Sequence, residues 1–217
     1  HRRNIAQNGH FCYTDLIMNS AHDRKAAIKK LKSLIYSTKQ DLDVFRKNLD
    51  KAFYSPVLPN DVECNEHNYG NVRCDVLMPP VYSTERIMIY IHGGSFVGGS
   101  KSAYRSFCAT LANATSCRVV VPEYRLAPAF PYPNGIEDLQ IVFRSVFTEE
   151  QIALSLDAGA NKKSEQPEII IAADGSGASL AMALLINLRE RYRECISHVI
   201  LISPWLNLSS DSPLIKE

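Results

Sequence analysis

The 217-residue chain lacks most features that would commit it to a specialised environment. It lacks charge imbalance: 24 Lys and Arg against 23 Asp and Glu leave a formal +1. That balance gives no basic stripe for nucleic acid and no acidic tail. It lacks an apolar run of membrane-spanning length, and no signal-peptide pattern follows its first residue, His1. A membrane role is therefore not expected. It lacks a CxxC pair among its six cysteines, at 12, 64, 74, 108, 117 and 195, and no histidine stands at metal-ligand spacing from them. The expectation is free, buried or half-buried thiols in a reducing compartment, hence a cytoplasmic protein without a metal. No dinucleotide glycine pattern appears, so no organic cofactor is implied. The N-x-[ST] matches at Asn113 and Asn207 are short enough to arise by chance. No repeat or low-complexity segment is present.

What is present is a core-forming composition, 46% hydrophobic, with two textures. Residues 14–53 hold no Gly or Pro. Ile28, Leu31, Leu34 and Ile35 fall at helical spacing, as do Leu42, Phe45 and Leu49, predicting one or two amphipathic helices broken near Ser37 and Thr38. Lys25, Lys29, Lys30 and Lys32 read as a solvated face of such a helix rather than a membrane contact. From residue 72 onward, short apolar runs alternate with helical stretches. The runs are VRCDVLM (72–78), RIMIYI (86–91), CRVVVP (117–122), EIIIAA (168–173) and HVILIS (198–203). The helical stretches are 102–114, 135–148 and 178–193, and 150–167 reads as a short helix followed by a polar loop. Apolar strands alternating with helices predict an α/β fold with a parallel sheet covered on both faces.

Two stretches carry chemistry. IIIAADGSGASLAMALL (169–185) runs from an apolar strand through small residues into a helix, the layout of a nucleophile elbow. HGGSFVGGS (92–100) follows a strand directly. Gly93 and Gly94 let the backbone turn tightly and leave N–H groups facing outward, where they could hold a developing oxyanion.

With EYRLAPAFPYPNGIEDLQ (123–140) and LISPWLNLSS (201–210), these motifs resemble, in order and spacing, the hormone-sensitive-lipase-like family of α/β-hydrolases. The resemblance covers about residues 70–212, as four motifs in order. It implies an α/β-hydrolase fold, a mostly parallel sheet flanked by helices. It also implies an N-terminal helical cap over residues 1–55 and a hydrolase core over 56–217. His92-Gly93-Gly94-Ser95 matches the oxyanion loop, with His92 as loop support, and Tyr124 to Pro128 with Glu137 and Asp138 matches the family's YRLAP segment and acidic pair. In the frame of the family's GDSAG motif, Asp174-Gly175-Ser176-Gly177 puts Gly175 at the nucleophile position. Ala173 and Gly177 are the small residues an elbow needs on either side, whereas a frame centred on Ser176 would put Asp174 there. Ser176 is then one step past the apex, its N–H towards the oxyanion and its hydroxyl directed elsewhere. It is the weaker candidate nucleophile. A glycine apex relieves strain of about 1–3 kcal/mol and removes the covalent route.

The family's acid and histidine follow the SPW strand, and the sequence runs to Glu217, so the core is expected to be incomplete towards its C-terminus. Asp211 and His198 are the remaining candidates, and neither stands where the family places its own. The expected ligand is a small apolar or acyl-ester molecule. Three functions stay open: a catalytically impaired carboxylesterase or lipase relative that binds such a ligand, an active carboxylesterase whose nucleophile was replaced, or a non-catalytic regulatory protein. Plant members of the family that act as hormone receptors give precedent for binding without a complete triad.

Overall fold

A computed structural model of the chain describes residues 24–26, 28, 29, 32, 34–37, 39–55, 57–59, 61–157 and 166–209. Cys12, Lys30, Leu31, Thr38, Asp211 and most of the loop expected before residue 167 lie outside these. The chain divides into two compact units, His1–Ile35 and Tyr36–Glu217. In the first, residues 24–26, 28, 29 and 32 are helical, and Lys25, Lys29 and Lys32 are exposed.

The second unit is built on a six-stranded sheet: β1 (Glu63–Tyr69), β2 (Val72–Met78), β3 (Arg86–Ile91), β4 (Arg118–Pro122), β5 (Glu168–Asp174) and β6 (Ile196–Ile202), in spatial order β1-β2-β4-β3-β5-β6. Strands β4, β3, β5 and β6 are parallel, as the apolar runs predict. Strand β2 instead runs antiparallel to β4, and β1 pairs antiparallel with β2. No apolar run marks β1, because ECNEHNY is an edge strand with most residues exposed.

Among the described residues, five helices flank this sheet: α1 (Leu42–Phe53), α2 (Lys101–Thr115), α3 (Asn134–Asp157), α4 (Gly175–Asn187) and α5 (Glu190–Arg193). The Asp41 and Ser100 side chains accept from Val44 N and Ala103 N, satisfying otherwise orphaned amides at the starts of α1 and α2. Helix α3 continues to Asp157 instead of ending near 148, since EEQIALSLD contains neither Gly nor Pro. The single helical stretch expected over 178–193 is two helices, parted by extended backbone at Leu188 and Arg189.

Alternation along the strands buries both faces. Ile87, Ile89, Ile91, Ile169, Ile171 and Ala173 face α3 and α4, where Val142, Phe143, Ala181 and Leu184 meet them. Met88, Tyr90, Val119, Val121, Ile170 and Ala172 face α2, where Tyr104, Cys108 and Ala112 meet them. The carboxyl ends of β3 and β5, side by side in this sheet, carry the two chemistry-bearing motifs.

Candidate functional site

Strand β5 passes into α4 without an intervening loop: Asp174 ends the strand and Gly175 begins the helix. The bend is made at Gly175, whose φ of +49° lies in the left-handed region. A residue with a Cβ is strained there by about 1–2 kcal/mol. Two residues on, a Cβ at Gly177 would collide with the carbonyl oxygens of Ile91 and His92, because α4 crosses the end of β3 at contact distance. A Cβ on Gly175 would meet only Gly93 Cα, at 3.9 Å. A side chain at the apex would therefore face the 92–100 loop, with room to do so.

The residues flanking the apex both hold that loop. Ser176 is buried, and its Oγ accepts from the Phe96 N–H at 3.1 Å. Its hydroxyl is thus turned to Phe96 and not to the apex. Asp174 Oδ1 accepts from Gly93 N at 2.8 Å and Tyr90 OH at 2.9 Å, while Oδ2 accepts from Tyr104 OH at 3.0 Å. Burial, and then the Asp174 charge, push both phenols far above their ordinary range, so they stay neutral donors. Sequence reasoning treated Asp174 only as an ill-fitting neighbour of a misplaced apex. The missed signal is a carboxylate wedged between an apolar strand and a helix, which must find donors.

Of the two loop amides expected to face outward, that of Gly93 is turned inward onto Asp174. Among the described residues, nothing accepts from the amides of Gly94 and Ser95. Ser176 lies in the first turn of α4, where no helical carbonyl is available to its N–H.

His92 is buried and neutral: burial holds its pKa below the ordinary value. Nδ1 lies 2.9 Å from Gly93 O, which can only accept, so Nδ1 carries the proton. The ring stacks on Tyr124 at 4.5 Å, and the Tyr124 hydroxyl donates to His92 O at 2.6 Å. His92 is thus an interior wedge beneath the loop. His198 stands beside Glu168, at the opposite end of β5 from Asp174. Asp138 is buried against the Arg125 guanidinium at 2.8 Å, bracing the segment after β4, and Glu137 is a looser partner at 3.5 Å.

Among the described residues, five cysteines are free thiols and no group of three or more His, Cys, Asp or Glu could hold a metal. Burial pushes the Cys74 thiol up to about 12 and that of Cys195 to about 11, so neither offers a thiolate. A polar cavity of about 250 Å³ lies between Tyr54, Cys64, Asp75 and Arg105, away from Gly175. There Lys101 and Arg105 pair with buried Asp75 at 2.6 and 2.7 Å, consuming its charge. No described helix is long and apolar enough to cross a membrane.

Known proteins share this architecture. The chain is 33% identical over 135 residues to a protein of Mycobacterium tuberculosis named as an acetyl-hydrolase, and 32% identical over 134 residues to an esterase of Acinetobacter venetianus. Each match covers 62% of this chain and only 40% of the relative's length. An esterase from the bacterial hormone-sensitive lipase family superposes with a TM-score of 0.67 at 24% identity, over 88% of this chain and 60% of that one. The family model described as the alpha/beta hydrolase fold matches residues 88–217. That stretch holds β3 to β6, the bend at Gly175 and the loop it faces, and the chain belongs to the alpha/beta hydrolase fold family.

Proposed function

We propose that this chain carries the acyl-binding part of an esterase-type site and holds a small acyl ester or related carbonyl compound without covalent turnover. The carrying observation is the apex itself. Gly175 has the left-handed backbone and open approach to the loop that a nucleophile would use, yet it has no side-chain oxygen. Ser176 does not substitute, because its hydroxyl is engaged by Phe96 N–H. The amides of Gly94, Ser95 and Ser176 are the donors a carbonyl oxygen would meet, and His92 and Asp174 hold their backbone in place. Esterases among the similar proteins support the ligand class. The test is hydrolysis of p-nitrophenyl acetate and butyrate, with binding followed through Trp205, the sole tryptophan. Saturable quenching without phosphonate-sensitive turnover is expected; robust turnover abolished by a serine-directed phosphonate refutes the reading.

A second reading is favoured by the 3.9 Å clearance at the apex: an active carboxylesterase whose serine has been replaced by glycine. With the family's acid and histidine supplied by residues following 217, Gly175→Ser should then release a burst of p-nitrophenolate, stoichiometric with protein. An inert, folded variant discards it.

A further inference from the structure

The 92–100 loop is rich in left-handed backbone. Gly94, Ser95, Phe96 and Gly99 have φ of 129, 57, 65 and 88°. Ser95 and Phe96 do so with side chains, and such strain persists only where the surroundings over-determine it. The inner restraints are Asp174 on Gly93 N, Ser176 on Phe96 N, and the Ala127 N–H, which donates to Phe96 O at 3.0 Å. From outside, a single cation grips the same junction. Arg46, on α1, donates through Nε to Val97 O at 2.7 Å and through Nη2 to Ala127 O at 3.1 Å. The rest of α1 presses on the same stretch: Phe45 and Leu49 lie against Gly98, and Ser100 Oγ donates to Asp50 at 3.2 Å. Its alternative partner, Asp43, is 4.0 Å away and largely exposed, too weakly placed to explain where the guanidinium sits.

We propose that Arg46 is a positioning residue for the Gly94–Phe96 segment: its guanidinium bridges two loops and keeps the free amides of Gly94 and Ser95 aimed at the apex. This rests on the reading of those amides as a carbonyl-binding site. Two carbonyls must be reached at once, which suits the planar fork of arginine and not a single ammonium. Arg46 makes no hydrogen bond to the apex residue. It acts through the carbonyls of Val97 and Ala127.

The test is amide hydrogen exchange on the full chain and on Arg46→Met and Arg46→Lys. Val97 N and Gly98 N both bond Gly94 O, at 3.1 and 2.8 Å, and so report the loop directly. In Arg46→Met their exchange should accelerate about tenfold, the loss expected for charge-assisted bonds, while β3 and β5 amides stay unchanged. Emission of Trp205, whose ring lies 5.7 Å from that of Phe96, should shift in parallel. In Arg46→Ala, where truncation leaves room for it at the two carbonyls, added guanidinium should restore both, which a merely packing role would not allow. Arg46→Lys should fall between the unaltered chain and Arg46→Met. It also decides the question if the methionine variant does not fold: its loop amides must exchange faster than in the unaltered chain. Unchanged loop exchange in a folded variant overturns the proposal. So does a loosened loop that binds p-nitrophenyl butyrate with undiminished affinity. If the unaltered chain does not bind that ester at all, the reading of the site fails, while the exchange rates still judge the grip of Arg46 on the loop.

Discussion

Strands β3 and β6 flank β5 on opposite sides and look alike in sequence, RIMIYI against ISHVILI. They end in opposite situations. Ile87 to Ile91 of β3 are buried throughout, covered by α2 on one face and by α3 and α4 on the other. In β6, Val199 and Ile200 remain 43% and 38% exposed, and no described strand pairs with its far side. The site follows the buried strand: β3 leads into the 92–100 loop, and the hydrogen bonds that fix that loop come from β5, α4, α1 and the segment after β4. An apolar run therefore announces a strand but not its place in the sheet.

The comparison can be broken most directly by paired truncations. Ile89→Ala should lower the unfolding free energy by about 2–5 kcal/mol, whereas Val199→Ala should cost under about 1 kcal/mol, since little of it leaves water on folding. Denaturant titration reads both, and equal effects would mean that β6 is covered as β3 is. Next is the anchor at the end of β5. Asp174→Asn offers one acceptor oxygen to three donors, so at least one of Gly93 N, Tyr90 OH and Tyr104 OH goes unmet, for about 1–3 kcal/mol of stability. A loss with no faster exchange at Gly93 would show that the carboxylate steadies the tyrosines alone.

His92 gives the pH dependence. Its folded-state pKa is depressed below the ordinary 6.5, so the unfolded chain binds the proton more readily. Its contribution is fully present above that value and is lost as pH falls below it, by up to about 1.4 kcal/mol per pH unit. Glu66 and Glu168 have pKa values lowered from 4.5, so their losses begin at lower pH. A decline in melting temperature that starts near pH 6 and vanishes in His92→Gln isolates the histidine. A decline confined below about pH 4.5 assigns it to carboxylates. Gly175→Ser should cost only backbone strain, about 1–2 kcal/mol, with no steric clash. A much larger loss would mean that the apex has no room for a side chain.

Much of the backbone geometry at the candidate site was legible because it is local. DGSG between an apolar strand and a helix specifies a sharp turn, and the bend falls at Gly175 with a positive φ. HGG after a strand specifies a tight loop, and that loop is where the turn faces it. The edge strand β1, the reversal of β2 and the extension of α3 were not legible, because polar composition hides an edge and pairing direction leaves no local trace. Asp174 could have been suspected from its awkward position, but its three donors come from Tyr90, Gly93 and Tyr104, far from it in the chain.

By itself the sequence determined the α/β alternation, the turn residues and the absence of a side chain at the apex, because each depends on residues close together along the chain. Which amide of the loop is spent on Asp174, which stay free, and that a guanidinium from α1 bridges the carbonyls of Val97 and Ala127 were decided only when the chain packed. Hydrogen bonds between groups more than 50 residues apart leave no periodicity to read, and their partners are chosen by burial and distance in three dimensions.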